Sequence, residues 1–257
     1  MTNVAVVLVT CNSMPGLTET LQSVLGQTQE PTALIAIDDY STDQTAQALR
    51  AAGFTVRTST SMSSDPFTRI AQNFMNGVRL AQQRGADIVV LGDHDDIWHR
   101  DRVQRQTNIL ESHPQVAMVA SDGFLVDEHG VALPGSIRGS FPVPDDFHEW
   151  TVRHQMRFAL RHSIATGGAS AIRLSGLSDW SVPSGWLHDR WWSLVALRQQ
   201  ALLIDDTKVI DYRVGPDQQV GLATSGQDHP VAWWSARARQ VGRTAGRVRD
   251  VTGLLRP

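Results

Sequence analysis

Ile88-Val89-Val90-Leu91-Gly92-Asp93-His94-Asp95-Asp96 runs from an unbroken apolar stretch into three carboxylates within four residues. A short apolar run bounded in this way predicts a strand buried on both faces. The carboxylates at its end ask for a counter-charge. Like charges this close stay ionised in a low-dielectric cleft only beside a metal, a basic side chain or a helix N-terminus. The stretch alone also fits an acidic loop whose aspartates are solvated or cap the next helix, so its surroundings must decide.

The same pattern stands twice upstream. Val4 to Val9 is a continuous β-branched run that ends at Thr10-Cys11-Asn12-Ser13. Asn12 or Ser13 is placed to cap a helix whose first turn holds Pro15 and whose apolar face is Leu17, Leu21, Val24 and Leu25. Ala33 to Ile37 leads into Asp38-Asp39, with a capping box predicted at Ser41 and Gln44, a helix stop at Gly53 and a short strand at Phe54 to Arg57. Phe67 to Arg84 reads as one helix ending at Gly85, just before Ile88. Three βα units in succession imply a parallel sheet with helices on both faces, and such sheets bind ligands beyond the carboxyl ends of their strands. Asp38-Asp39 and Asp93 to Asp96 both fall at that edge, which favours a metal or nucleotide site over a solvated loop.

Downstream, Asp101 to Ser112 is predicted helical and Val116 to Ala120 a strand, with a hairpin joining Leu125-Val126 to Val131-Ala132-Leu133. The βα rhythm then stops. Gly135 to Pro144 reads as a crossing loop, Phe147 to Arg161 as a helix, Thr166 to Ala171 as a tight turn into a strand, His188 to Gln200 as a helix and Lys208 to Arg213 as the last strand.

Composition limits the function. The 257 residues, 41% hydrophobic and 19% charged, allow one large domain with a real core. No run approaches the ~20 apolar residues of a membrane span, and Met1-Thr2-Asn3 lacks the basic start of a signal peptide, so a cytoplasmic protein is expected. The single cysteine, Cys11, excludes an intrachain disulfide and a cysteine-based zinc site. A formal charge of −3 argues against nucleic acid as a partner. It hides an asymmetry: residues 229–257 hold six arginines and one aspartate, about +5, leaving about −8 for the rest. There Trp234, Ala238, Val241, Ala245, Val248 and Leu255 recur at helical spacing among arginines, a basic amphipathic pattern suited to an anionic membrane, a partner or the protein's own surface.

Neither G-x-G-x-x-G nor G-x-x-x-x-G-K-[ST] follows the first strand, so phosphates must be held by other means. One or two carboxylates plus the substrate's own phosphates is how Mg²⁺ is usually bound, and the Asp93-x-Asp95 spacing suits it.

The ordered set Val9-Thr10-Cys11-Asn12, Gln27-Thr28, Ile37 to Asp43, Asp93-His94-Asp95-Asp96-Ile97-Trp98 and Asp101-Arg102 resembles the family 2 glycosyltransferases of the GT-A fold. Thr166-Gly167-Gly168, His188-Asp189-Arg190-Trp191-Trp192 and Tyr212-Arg213 with Gln218-Gln219 extend the resemblance to the bacterial rhamnosyltransferase-like branch. It implies an α/β fold with a Rossmann-like, mostly parallel central sheet flanked by helices and an appended acceptor-side α+β region. Residues 1–124 would be the nucleotide-sugar half, 125–225 the acceptor and catalytic-base half of the same domain, and 226–257 a basic helical tail. The implied activity is inverting transfer of one sugar from a nucleoside diphosphate, dTDP-rhamnose or a UDP-sugar, to a hydroxyl of a cell-surface glycan or glycolipid, with Mg²⁺ or Mn²⁺. Peripheral membrane contact through 229–257 and a homodimer stay open.

By the same resemblance Thr10, Asn12 and Asp39 would hold the pyrimidine base, Asp93 the ribose and Asp95 the metal, with Asp189 the catalytic base. Asp96 reads as a cap for the next helix and Trp98 as core. Gly167 and Gly168 would let backbone approach the donor sugar, with His188 and Trp191 on the donor-sugar and acceptor side. Arg213 is a candidate partner of the diphosphate, and Arg69 one of the same kind. Cys11 departs from the family in replacing a common aromatic, His94 in filling the middle of the D-x-D, and His188 in standing where many relatives have a second acid. A nucleotidyltransferase or a non-catalytic sugar-nucleotide binder are the competing classes.

Overall fold

The computed structural model describes residues 2–177 and 180–215, and the backbone of two short strands at 223–225 and 229–231. The three apolar runs become β1 (Val4–Thr10), β2 (Ala33–Asp38) and β4 (Ile88–Gly92). Between them lie α1 (Leu17–Leu25), α2 (Thr45–Ala51), β3 (Thr55–Thr58) and α3 (Pro66–Gln83). β5 (Ile97–Trp98), α4 (Arg102–Ser112), β6 (Met118–Val126), β7 (Ala132–Ser136) and α5 (Ile137–Ser140) follow, then α6 (Val152–Ala159), β8 (Ser170–Arg173), α7 (His188–Arg198) and β9 (Leu202–Arg213).

One sheet in the order β3-β2-β1-β4-β8-β6-β9-β5, with β7 on the side of β6, carries the fold. β1 pairs in parallel with β2 and β4, and β2 with β3, as three βα units require. β8 runs antiparallel to both β4 and β6, and β9 returns parallel to β6 with register shifts. Each sheet face has its own core. Phe74, Val78, Trp186 and Trp192 cover one, and Leu17, Leu49, Val103 and Leu110 the other. Apolar residues on both faces of β1 are therefore buried, which explains its unbroken hydrophobic run.

Helix ends differ from the sequence reading. Neither Asn12 nor Ser13 caps α1: its N-cap is Gly16, and Asn12 Oδ1 instead accepts from the Thr42 amide at 2.7 Å. The Ser41–Gln44 box does not form, because Ser41 donates its hydroxyl to Asp38 at 2.6 Å and Asp43 accepts from the Thr45 amide. Gly53 and Gly85 do sit past their helices with positive φ. The single helix expected at 147–161 is broken: a 3₁₀ turn at Phe147–Glu149 precedes α6, which Thr151 caps from its side chain. β9 starts six residues earlier than read and is not the last strand, since β10 (Ala223–Ser225) pairs with β11 (His229–Val231). Gln218-Gln219 and the helical pattern from Trp234 lie outside the described residues. Among the described residues no helix is long and apolar enough to cross a membrane.

Candidate active site

A cleft of about 530 Å³ opens over the carboxyl ends of β1, β2 and β4. Its lining includes Thr10, Cys11, Asn12, Asp39, Asp93, Asp95, Gly167, His188, Asp189 and Arg213, which brings most of the sequence-derived candidates together. Three are not in that lining, and Arg69, which pairs with Asp39 behind it, is one of them. Gly168 lies under its floor, and Trp191 is buried edge-on against Trp186. Among the described residues no tryptophan lines the cleft; the aromatic walls are Phe67, Phe74, Phe141 and Tyr212.

At one end the Asp39 amide donates to the Thr10 carbonyl at 2.7 Å, continuing the β1–β2 ladder into the site. The Thr10 hydroxyl donates to Asp38 at 3.2 Å, and Asn12 sits in the left-handed region with φ 47°. Arg69 donates Nε to Asp39 Oδ2 at 2.6 Å and lies near the Tyr40 ring, so it serves Asp39 rather than reaching for phosphate. Asp39 Oδ1 is buried without a partner. The Cys11 thiol is pushed up by burial and by Asp39, which keeps it protonated.

The acidic cluster has its counter-charge beneath it. Arg102 is fully buried, donates to the Leu91 carbonyl at 2.6 Å and lies 3.8 Å over the Trp98 ring. Asp96 does not cap α4, whose N-cap is Asp101. It is wholly buried, accepting from the Arg213 amide at 3.2 Å through Oδ1 while Oδ2 has no partner. One buried cation cannot balance the cluster. Burial, then Asp95 and Asp189, push the Asp93 carboxyl up to about 7. Burial, then Asp95 and Asp93, raise Asp96 as well. Tyr212, unassigned by the sequence, is buried in the same field, and its phenol is raised by burial and by these carboxylates.

The Gly167–Gly168 turn joins this cluster to α7. The Gly167 amide donates to Asp189 Oδ2 at 3.0 Å, and the Gly168 amide donates to Asp93. A Cβ on Gly168 would lie 2.5 Å from Asp96 Oδ2 and 2.7 Å from Asp93 Oδ2; one on Gly167 would lie 2.5 Å from His188 Nε2. Both glycines are needed for close approach. Asp189, in the first turn of α7, also accepts from the Arg190 amide at 2.6 Å. His188 is 3% exposed, stacked on Phe74 at 3.7 Å, with neither ring nitrogen partnered. Burial lowers it to about 4, so it is neutral.

The Arg213 guanidinium, expected on a diphosphate, is engaged by protein. It donates to the carbonyls of Asp95 and Glu128 and pairs with Glu19 at 2.5 Å, bracing the loop that carries Asp95. Among the described residues no group of three or more His, Cys, Asp or Glu side chains forms a ready-made metal cage. The oxygen donors and uncompensated negative charge around Asp93 and Asp95 suit a hard divalent cation that keeps water or phosphate as its remaining ligands.

A twisted α/β sheet with helices on both faces and an acidic cleft over its strand ends is the architecture of the GT-A glycosyltransferases. Residues 5–178 match the family described as Glycosyl transferase family 2, and the chain belongs to that family. Among solved structures, TarS 1–349 of S. aureus aligns with a TM-score of 0.58 at 16% identity, covering 82% of this chain and 60% of that one. Glucosyl-3-phosphoglycerate synthase from Mycobacterium tuberculosis, in complex with Mn²⁺, UDP and glucosyl-3-phosphoglycerate, aligns at 0.54 and 17% identity, covering 93% and 77%. The mannosyltransferase PcManGT from Pyrobaculum calidifontis, with GDP-Man and Mn²⁺, aligns at 0.52 and 18%, covering 82% and 56%. This chain thus spans about three fifths of the length of TarS 1–349. No curated protein matches it in sequence.

Proposed function

We propose that the protein transfers a single sugar, with inversion, from a pyrimidine nucleoside diphosphate, a UDP-sugar or dTDP-rhamnose, to a hydroxyl of a cell-surface glycan or glycolipid. The observation that carries this reading is the Gly167–Gly168 turn, whose adjacent amides hold Asp189 and Asp93, two carboxylates from distant parts of the chain. Family membership and the UDP complexes of TarS and of the synthase support the donor class.

In this reading the orphaned Asp39 Oδ1 accepts the imide N–H of the base, beside Thr10 and Asn12. Asp93 takes the ribose, and Asp95 would hold Mg²⁺ or Mn²⁺, which when bound neutralises the departing diphosphate. Asp189 accepts two backbone N–H bonds, which hold its carboxylate in place to take a proton. The acceptor hydroxyl gives its proton to Asp189 as its oxygen bonds the anomeric carbon and the bond from that carbon to the phosphate oxygen breaks. No covalent enzyme intermediate is required.

Asp189→Asn tests the reading. It should bind UDP with Mn²⁺ in calorimetry as the wild type does, while sugar transfer falls at least ~100-fold, a typical general-base contribution. Near-normal transfer would remove Asp189 as base. In the same calorimeter Asp95→Ala should lose the Mn²⁺-dependence of UDP binding, and an unchanged dependence would sink the metal assignment.

A further inference from the structure

We propose that α6 and the turn after it form an acceptor subsite for an anionic glycan, one bearing phosphate, sulfate or carboxylate groups along its length. The proposal rests on the glycosyl-transfer reading above and names the acceptor class. From Trp150 to Leu177 the sequence holds four arginines and two histidines and no aspartate or glutamate. Arg153, Arg157 and Arg161 recur at steps of four, on one face of α6 and its closing turn, and all three are exposed. None of them is in an ion pair among the described residues, whereas Arg105 and Arg213 each have an acidic partner. Steps of four rise roughly 6 Å, so the row presents charge over roughly 12 Å.

The row ends inside the cleft, where Arg161 and His162 are part of the lining. Arg190, next to Asp189, donates to the Ala159 and Leu160 carbonyls at the end of α6, so the row and the carboxylate are mechanically joined. Two imidazoles along the row lie flat on aromatic rings, His154 on Trp150 and His162 on Phe158, both at 4.2 Å. Flat ring faces beside cations suit a sugar chain carrying anions. A membrane surface fits less well, because the exposed large apolar side chains among the described residues, Leu25, Tyr40, Met62, Phe124 and Val131, all lie off α6.

The test compares three proteins by calorimetry: the wild type, Arg153→Ala/Arg157→Ala/Arg161→Ala, and a charge-matched control, Arg50→Ala/Arg57→Ala/Arg84→Ala. The probes are dextran sulfate, neutral dextran and phosphatidylglycerol vesicles, with UDP and Mn²⁺ titrated separately. The row variant should bind dextran sulfate about 10-fold more weakly, roughly two- to threefold per exposed charge pair. The control should stay within about twofold of wild type, and dextran should bind to none. A triple Arg→Lys row variant should keep most of the affinity. Equal losses in row and control variants, or none in either, overturn the subsite. Vesicle binding that depends on the row while dextran sulfate binding does not overturns it in favour of a membrane. Loss of UDP binding in all proteins would instead strike at the glycosyl-transfer reading and leave the polyanion result readable.

Discussion

The two ends of the sheet are built by different rules. From β1 to β4 every strand is parallel, every crossover is a helix, and acidic residues arrive at strand ends because the topology delivers them there. From β6 onward the pairing is mixed, with β8 antiparallel to β6 and β9 parallel to it in a shifted register, and Asp189 reaches the cleft on a helix held by a glycine turn. Repetition positions one side of the cleft, whereas individual close contacts position the other. Core substitutions beneath the parallel strands should therefore act through stability, and those at the glycine junction through ligand binding.

Two glycines put that contrast to the test. A Cβ on Gly77 of α3 would collide with Val7 Cγ1 inside the parallel core, so Gly77→Ala should cost about 3 kcal/mol in urea unfolding. Its UDP affinity, measured on the folded fraction, should be unchanged. Gly168→Ala displaces Asp93 and Asp96 and should weaken UDP–Mn²⁺ binding about 10-fold, at a stability cost of about 1–2 kcal/mol. Equal affinity losses in both would erase the distinction.

A smaller effect comes from His188, on the junction side. Its folded pKa of about 4 lies below the unfolded value near 6.5, so protonation favours the unfolded chain. Its contribution is complete above the unfolded pKa and is lost as pH falls from about 6.5 towards 4. Between pH 7 and pH 5 the wild type should lose about 2 kcal/mol more than His188→Phe, read from urea midpoints at the two pH values. Parallel losses would show that the imidazole is solvated. Smallest of all, Arg105→Ala breaks an exposed i,i+4 pair with Asp101 and should change stability by less than about 0.5 kcal/mol.

The parallel part was legible because burial on both faces forces continuous apolar runs, which β1, β2 and β4 display. Their acidic ends were visible for the same reason. β5 is two residues long and has no periodicity to find. The break at Trp150-Thr151 carried a signal in Thr151, a favoured N-cap residue. The roles of Asp96 and Arg213 were hidden because each depends on the other across 117 residues. Arg102 stood in the Asp101-Arg102 motif without an assigned role, and only packing against Trp98 makes it a buried cation of the site. Tyr212 and the row on α6 needed the tertiary neighbours that bring them to the cleft.

The bond from the Arg213 amide to Asp96 has a consequence for how the molecule is made. It joins the loop after β4 to the end of β9, so the chain must emerge almost to its last described residues before the floor of the cleft can close. Contacts of such long sequence separation form slowly, because loop-closure entropy is spent before they reward it. A chain that has not yet paired β9 with β6 therefore lacks this bond, and the floor of the cleft forms together with the completion of the sheet.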